Sequence, residues 1–263
     1  MGWELAGRGW GQRAREWAYL VEPYARPANE RLFERLKVGE GVRLLDIACG
    51  SGFAAHLAAG LGATVAGLDA SEPLLAIARA RTPAGDFRLG DMLDLPFDDA
   101  AFDVATSFNG IWKGFDGAVT EAHRVLRPGG LFGMTFWGSP KRLGLLPFFM
   151  KIGEFSPSEH VAATLEQGDT GRPGVVEDML ASSGLEFHER GRVEVVNEWP
   201  DLATAARALA SSGPAVPAIE NIGYDAFVEE LVEAFSGMHD SQVGVRVTSE
   251  FGWATARKPR HQP

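Results

Sequence analysis

The sequence predicts an α/β fold in which a mostly parallel sheet carries helices on both faces. An apolar run over residues 42–47 leads into a turn of small residues, Ala48 to Gly52, and a helical pattern follows over residues 53–61. Strand-like and helical patterns then alternate as far as Trp137. A glycine turn between a strand and a helix lets the backbone approach a ligand and aims free N–H groups at it. This turn therefore predicts a binding site.

Length and composition suit one large domain with insertions. The chain has 263 residues, of which 45% are hydrophobic, enough for a substantial core. A formal net charge of −10 argues against a nucleic-acid partner, which would favour a basic face. No apolar stretch reaches membrane-spanning length, the N-terminus lacks the apolar region of a signal peptide, and the single Cys49 excludes an internal disulfide. We therefore expect a cytoplasmic protein without a membrane partner.

The N-terminal segment, residues 3–36, is predicted to be helical and aromatic. Trp10, Trp17 and Tyr24 recur at helical spacing, and a second helix is expected over residues 28–36. Such a segment either packs on the sheet or closes as a lid over bound ligands. The sequence leaves both possibilities open.

Between the glycine turn and Trp137 the pattern predicts the centre of the sheet. Asp69 and Asp91 each follow a predicted strand directly, at the edge where open α/β sheets bind ligands. Ser71 is placed to cap the next helix, and the R-P-G-G stretch at residues 127–130 predicts a turn. The predicted strands are residues 64–68, 86–89, 102–108 and 131–137, and the predicted helices are residues 72–80 and 116–126.

Two insertions interrupt the alternation after Trp137. Residues 138–172 are long for a connection and rich in Leu and Phe, which predicts a lid over the substrate. Residues 199–243 hold two helical patterns around Pro214 and Pro217. The remaining predicted elements are a helix at residues 175–182 and strands at residues 185–196 and 245–256.

Two kinds of cofactor fit the glycine turn. Gly50, Gly52 and Ala55 match the dinucleotide-binding pattern G-x-G-x-x-A, and Asp69 lies near the distance expected for a ribose-binding carboxylate. Asp46 argues against a dinucleotide, because a carboxylate inside the strand would repel a pyrophosphate and is costly to bury unless it is paired. A cationic ligand would suit Asp46 better.

Four segments agree in order and spacing with motifs of the class I S-adenosylmethionine-dependent methyltransferases: LDIACGSG at residues 45–52, AGLDAS at 66–71, GDMLDLPF at 90–97 and HRVLRPGG at 123–130. The chain most resembles the small-molecule branch, which includes ubiquinone and menaquinone biosynthesis and natural-product methyltransferases. The resemblance implies a Rossmann-like, seven-stranded sheet with an antiparallel last strand and helical lid insertions. It also implies S-adenosylmethionine as cofactor and methyl transfer to O, N or C of a small, largely apolar metabolite.

The resemblance further implies which residues bind the cofactor. Asp69 would accept hydrogen bonds from both ribose hydroxyls, and Asp91 would accept one from the adenine amino group. The full set implied for the cofactor is Asp46, Ala48, Cys49, Gly50, Gly52, Asp69, Ala70, Ser71, Asp91, Met92, Leu93 and Asn109.

Sequence motifs define the residues that contact the methyl acceptor less clearly than those that bind the cofactor. Family members that methylate nucleobases or protein amides usually carry an N-P-P-Y-like tetrapeptide after strand four, whereas this chain has N-G-I-W at residues 109–112, which argues against those substrates. His160 is the candidate general base if the acceptor must lose a proton, and the alternative is an exposed helix residue. The aromatic side chains expected at the substrate are Trp17, Trp112, Trp137, Phe148 and Phe149.

Three hypotheses remain: a methyltransferase, an NAD-dependent oxidoreductase, and a protein that binds S-adenosylmethionine without transferring its methyl group. The six His residues and one Cys show no metal-ligand spacing, so no metal site is predicted. We expect a single domain over residues 1–263 that acts on a small molecule as a monomer or homodimer. Its predicted parts are an N-terminal lid (1–37), a cofactor-binding core (38–137), a lid insertion (138–172) and a C-terminal part (173–263).

Overall fold

Eight strands form one sheet in the computed structural model, which describes residues 2–158, 160–161 and 169–260. In chain order they are β1 (Arg43–Ile47), β2 (Thr64–Asp69), β3 (Asp86–Leu89), β4 (Phe102–Phe108), β5 (Leu126–Trp137), β6 (Glu186–Trp199), β7 (His239–Asp240) and β8 (Gly244–Arg257). Their order across the sheet is β3-β2-β1-β4-β5-β8-β6, and the short β7 pairs with β8.

The first five strands are parallel, with β1 at the centre. Leu45 of β1 lies opposite Ala66 of β2 on one side and Ala105 of β4 on the other, and all three side chains are buried. Strands covered on both faces are apolar along their whole length, which explains the apolar runs in the sequence. Because parallel strands end at one edge, Asp46 and Asp69 come to the same edge of the sheet.

The C-terminal strands are antiparallel to this set. β8 runs antiparallel to both β5 and β6, which confirms the antiparallel last strand, and β7 is a two-residue addition to the seven expected strands. The predicted turn at residues 127–130 is wrong in part. β5 already begins at Leu126, and its pairing with β4 shifts register between Phe102 and Val104, so the glycines form a bulge inside the strand.

Helices cover both faces of the sheet. Leu32, Ala55 and Leu75 belong to the cluster on one face, and Val119 and Leu180 belong to the cluster on the other. The helices among the described residues are α1 (Trp3–Gly11), α2 (Ala14–Leu20), α3 (Arg26–Leu36), α4 (Phe53–Gly60), α5 (Glu72–Arg81), α6 (Asp116–Val125), α7 (Leu146–Phe155), α8 (Val175–Ser182), α9 (Leu202–Ala210), α10 (Val216–Ile222) and α11 (Tyr224–Phe235).

A cap made from both insertions has a hydrophobic core of its own. α7 comes from the first insertion, and α9, α10 and α11 come from the second, which holds three helices where two patterns were expected. Phe148, Leu209, Phe227 and Trp199 are buried together in this core. The indole N–H of Trp199 donates to the carbonyl oxygen of Leu20 at 2.9 Å, so the end of β6 is tied to the N-terminal helices.

In the part of the chain that the structure describes, no helix combines the length and apolarity that crossing a membrane requires.

Candidate active site

The glycine turn after β1 has left-handed backbone at Ala48 (φ 57°), Gly50 (φ 56°) and Gly52 (φ 70°). Asp69, at the end of β2, fixes the turn from the side. Its Oδ2 accepts from the Gly50 N–H and its Oδ1 from the Ser71 N–H, each at 2.8 Å. A carboxylate has about four acceptor positions. Asp69 can therefore fix the turn and still accept hydrogen bonds from a ligand.

Ser71 stands at the N-cap position of α5, but its side chain does not cap the helix. The predicted N-cap position is therefore correct, but the hydrogen bond of a serine cap is absent. Pro73 gives a physical reason, because it lies at the start of α5 and has no N–H for a capping oxygen to accept. The Ser71 hydroxyl is buried against Gly11 of α1 and has no hydrogen-bond partner among the described residues.

Three carboxylates lie close together around the glycine turn, those of Asp46, Asp69 and Glu22. Asp46 is 1% exposed, and its Oδ1 accepts from the Thr106 hydroxyl at 3.0 Å. Burial, with the neighbouring charges of Glu22 and Asp69, raises the pKa of Asp46 to about 8. Burial also raises the pKa of Asp69 to about 6, although hydrogen bonds to Ser71 and other backbone N–H groups oppose the rise. A cation bound here would favour the ionised carboxylates.

Cys49 forms a buried wall of the same turn. Its sulfur lies 2.8 Å from the position that a Cβ on Gly67 would occupy, so the turn packs closely against β2 there. Burial raises the pKa of the Cys49 thiol well above its ordinary value, which keeps it protonated. Its environment is that of a packing residue and not of a nucleophile.

The segment after β3 is a tight turn. Asp91 Oδ1 accepts from the Leu93 N–H at 2.9 Å, Met92 packs partly against the main core, and Leu93 is exposed. Since β3 neighbours β2 in the sheet, Asp91 follows the strand next to the one that ends in Asp69. Their binding to the adenine stays a prediction.

The loop after β4 lies against the glycine turn. Asn109 has a left-handed backbone (φ 55°), its N–H donates to the Thr135 carbonyl at 3.2 Å, and its carbonyl accepts from the Trp112 indole at 2.8 Å. A Cβ on Gly110 would stand 2.6 Å from the Cβ of Ala48, so the two loops touch. The buried side-chain oxygen of Asn109 has no hydrogen-bond partner in the described part of the chain, which leaves it for a ligand.

Aromatic rings continue from this edge of the sheet towards the cap. Trp137, at the end of β5, packs edge-on against Phe149 of α7 (ring centroids 5.4 Å apart) and Phe251 of β8 (4.7 Å). Trp112, Trp137 and Phe149 are half-buried and keep surface for an apolar ligand. Phe148 is instead 4% exposed and packs in the cap core, which leaves it little surface for a substrate.

The N-terminal helices lie directly over the glycine turn (residues 48–52) and the loop after β2 (residues 70–71), the two candidate cofactor loops, which favours the lid alternative. α1 meets the loop after β2 at Gly7, where any Cβ would collide with the carbonyl oxygen of Ala70. Only glycine permits this approach. Trp17 of α2 lies beside the glycine turn, since its ring nitrogen is 3.8 Å from the Cβ position of Gly50. The structure thus brings Trp17 to the cofactor loops rather than to the aromatic rings near the cap.

Glu22 is the site residue that the sequence reasoning missed. Its Oε1 accepts from the Ser51 N–H at 2.9 Å and from the Trp17 indole at 3.0 Å, and its Oε2 pairs with Arg81 at 3.0 Å. Burial raises the pKa of Glu22, while hydrogen bonds from Ser51 and the charge of Arg81 lower it. A Cβ on Gly50 would collide with Glu22 Oε1, so this carboxylate lies over the turn. No local pattern marks one glutamate after a helix as functional.

The backbone hydrogen bond of His160 does not place its side chain at the candidate site. Its N–H donates to the Pro157 carbonyl at 3.0 Å, and the residue is half-buried. Residue 159 and residues 162–168 of the same insertion lie outside the described residues, so the base assignment stays a prediction. Within the residues that the structure describes, no group of three or more His, Cys, Asp or Glu side chains could hold a metal ion.

A family model described as a methyltransferase domain matches residues 45–134, which run from β1 into β5. A malonyl-[acyl-carrier protein] O-methyltransferase of Erwinia pyrifoliae is 30% identical over 207 residues, which cover 77% of this chain and 73% of the relative. A Mycolicibacterium smegmatis protein named "Probable S-adenosylmethionine-dependent methyltransferase" is 40% identical over 109 residues, 41% of each chain. The chain thus spans well under half the length of this second relative.

A solved structure of a candidate methyltransferase from Bacillus halodurans has the same fold. Its TM-score is 0.59, with 19% identity, and the match covers 88% of this chain and 98% of that one. At this identity the likeness concerns the fold alone.

Proposed function

The chain belongs to the S-adenosylmethionine-dependent methyltransferases, and we propose that it transfers the cofactor's methyl group to a small, largely apolar acceptor. One observation carries the proposal. The glycine turn fixed by Asp69 lies against the Asn109 loop, and the same edge of the sheet leads to half-buried aromatic rings beneath a helical cap. A cofactor at the turn would thus present its methyl group towards an apolar wall.

The residues at the turn fit S-adenosylmethionine, which carries a sulfonium, an ammonium and no phosphate. Asp69 keeps acceptor positions for the ribose hydroxyls, and the side-chain oxygen of Asn109 is a buried polar atom that a ligand can satisfy. Glu22 is already paired with Arg81, but Asp46 and Asp69 favour a cation, because a nearby positive charge stabilises their ionised forms. They would repel the pyrophosphate of a dinucleotide, so the site gives the NAD alternative no support.

Catalysis on this proposal is mainly positioning. The bound cofactor supplies a methyl group that the sulfonium has already activated. The chain must hold the acceptor in line with the S–CH3 bond and exclude water, and such positioning can lower the barrier by roughly 7–11 kcal/mol. We assign the acceptor wall to Trp112, Trp137 and Phe149, and the exclusion of water to the N-terminal helices and the cap.

The acceptor atom is best sought first among oxygen nucleophiles. The Erwinia relative is named for O-methylation of a malonyl group on an acyl-carrier protein, and it aligns over most of both chains. The half-buried rings of Trp137 and Phe149 support an apolar body next to the accepting group.

We propose His160 as the general base for the case in which the acceptor must lose a proton early. His160→Ala should then lower turnover, because the acceptor keeps its proton, and His239→Ala, in the exposed β7, should not. Full activity of His160→Ala from pH 6 to 9 would show that positioning alone suffices.

We further propose a cytoplasmic location and a monomeric or homodimeric state. The net charge of −10 and the single buried cysteine, Cys49, are typical of a protein of the reducing cytoplasm. We propose a monomer or homodimer, which sedimentation of the purified chain with and without cofactor would distinguish.

Calorimetric titration tests the cofactor assignment. S-adenosylhomocysteine should bind with a micromolar dissociation constant, whereas NADH should produce no saturable heat. A panel of small apolar alcohols, carboxylic acids, phenols and amines should then be screened for formation of S-adenosylhomocysteine. Tight cofactor binding with no turnover on any acceptor would favour the alternative of a protein that binds the cofactor without using it.

A further inference from the structure

We propose that a cavity at the opposite end of the sheet from the glycine turn binds the phosphoryl group of a small organic phosphate. The cavity encloses about 380 Å³ and is lined by Val42, Asp103 and Leu131, among others. Val42 immediately precedes β1 and Asp103 is the second residue of β4, so the cavity lies at the amino ends of the parallel strands. Its volume lies in the range of small-molecule pockets, roughly 300–1,000 Å³.

The wall of this cavity is basic although the chain is acidic. The sequence has 35 Asp and Glu against 25 Lys and Arg, yet the cavity gathers five cations around one carboxylate, Asp103: Arg35, Lys37, Arg127, Arg257 and Arg260. A local excess of positive charge on a negative protein is the electrostatic signature of an anion site.

The single carboxylate is already engaged. Asp103 accepts hydrogen bonds from Arg43 at 3.1 Å and from Arg127 at 2.5 Å. Burial on its own would raise the pKa of Asp103, but these arginines lower it to about 2. The charge of Asp103 is therefore matched by arginines at one side of the cavity.

Among the described residues, three of the cations have no acidic partner. Lys37, Arg257 and Arg260 form no ion pair with any described residue, whereas Arg35 lies 3.6 Å from Glu189. Like charges that share a cavity repel one another, and a bound anion relieves that repulsion. Guanidinium groups match the geometry of phosphate oxygens with two parallel hydrogen bonds, which makes a phosphoryl group the best fit.

The floor of the cavity adds an apolar surface and one hydroxyl. Leu36 and Val104 are buried there, and Thr255 is 2% exposed. The Thr255 hydroxyl is buried and has no hydrogen-bond partner in the described part of the chain. Leaving such a group unsatisfied is costly, so a ligand that accepts its hydrogen bond would be favoured. A basic rim over an apolar floor suits an organic phosphate better than a bare ion.

The experiment uses the full chain saturated with S-adenosylhomocysteine, so that the cofactor site is filled. Adenosine 5′-monophosphate, inorganic phosphate, sulfate and adenosine are titrated separately by calorimetry at constant ionic strength. We expect the monophosphate to bind, adenosine not to bind, and the double variant Arg257→Gln/Arg260→Gln to weaken binding about tenfold or more. The matched variant Arg172→Gln/Arg246→Gln removes two exposed arginines elsewhere and should change binding less than about twofold.

Thr255→Val is a second variant that separates loss of ligand binding from a purely structural effect. It removes the hydroxyl at nearly constant volume, so it should weaken the monophosphate about threefold or more without lowering the melting temperature. Equal binding of inorganic phosphate and the monophosphate would assign the site to free phosphate. Binding of adenosine as tight as the monophosphate, equal affinity for sulfate, no binding at millimolar concentrations, or equal losses in the two double variants would each overturn the proposal.

Discussion

The cofactor loops and the cap are built in different ways. At the cofactor loops the decisive groups lie within or directly after strands, and Asp69 reaches Gly50 and Ser71 through backbone hydrogen bonds of 2.8 Å. In the cap, segments far apart in sequence must meet, as when the Trp199 indole donates to the Leu20 carbonyl. The first region depends on backbone geometry and the second on side-chain packing.

This difference predicts a separation of functions. A change at the turn should remove cofactor binding and leave the sheet folded, because few core contacts depend on it. A change at the cap's inner surface should remove acceptor turnover and leave cofactor affinity intact.

Gly50→Val should weaken binding of S-adenosylhomocysteine by about 100-fold or more. A β-branched residue resists the left-handed backbone at φ 56°, and its Cβ would collide with Glu22 Oε1. Calorimetry measures the loss, and circular dichroism checks that the fold persists. The control is Gly153→Val in α7, where a Cβ meets no atom within 4 Å and cofactor affinity should not change. Tight binding by Gly50→Val would remove the turn from the cofactor site.

Asp69→Ala should weaken cofactor binding by about 1.5–3 kcal/mol, the range for losing hydrogen bonds to a charged group. The upper end is expected, because the variant also leaves the N–H groups of Gly50 and Ser71 without their acceptor. The matched control is Asp225→Ala on the exposed side of the cap helix α11. If a folded Asp69→Ala protein kept the wild-type dissociation constant, the ribose role would be wrong.

Phe149→Ala should lower kcat/KM for the acceptor about tenfold or more and change the dissociation constant of S-adenosylhomocysteine less than about threefold. Phe149 touches Trp137 but is only half-buried, so its loss alters the acceptor wall more than the cap core. Phe187→Ala, at an exposed ring on β6, is the control. Equal losses of cofactor affinity and turnover would contradict the separation.

Deleting the first insertion would be the simplest test of its role, but it would also disrupt the cap. Deleting residues 138–172 would remove Leu145, Phe148 and Ile152, all buried in the cap core. Such a deletion would unfold the cap as well as open the site, because truncating one buried Leu or Phe already costs about 2–5 kcal/mol. Single substitutions on the inner surface are therefore the sharper probe.

The smallest effect expected is a pH dependence of stability without cofactor. The pKa of Asp46 is raised to about 8 from an ordinary value of 3.8. From pH 6.5 to 8 the unfolded chain has therefore lost a proton that the folded chain keeps, so the unfolding free energy falls as pH rises, by at most about 1.4 kcal/mol per unit. Asp69, whose pKa is raised to about 6, loses its proton mostly below pH 6.5, so it contributes less to the change in unfolding free energy between pH 6.5 and 8.

Urea unfolding of the wild type and Asp46→Asn at pH 6.5 and 8 isolates this effect. The wild type should lose more stability than the variant between these two values. Saturation with S-adenosylmethionine should reduce the difference, because a nearby cation favours ionised Asp46. Parallel pH dependence of both proteins would show that Asp46 is ionised throughout.

Local patterns were enough to predict the sheet and the cofactor loops. The strands in the centre of the sheet lie within about two residues of their predicted positions except at β5, because strands buried on both faces need continuous apolar runs. The turn at Gly50 and the position of Asp69 at the end of β2 were also predicted from local sequence. A left-handed turn and a carboxylate at a strand end are properties of a few consecutive residues.

Only the tertiary structure decided the rest. Glu22 reaches Ser51 and Arg81 because α2 folds over the turn, and nothing in its neighbouring residues predicts that contact. The cap likewise joins α7 to helices from the second insertion, which the sequence showed only as two separate insertions. The sequence by itself therefore determined the sheet and its glycine turn, through period, backbone preference and strand-end position. The packing of the N-terminal helices and of the cap depended on which distant apolar and charged side chains could be buried together, and short-range patterns do not carry that information.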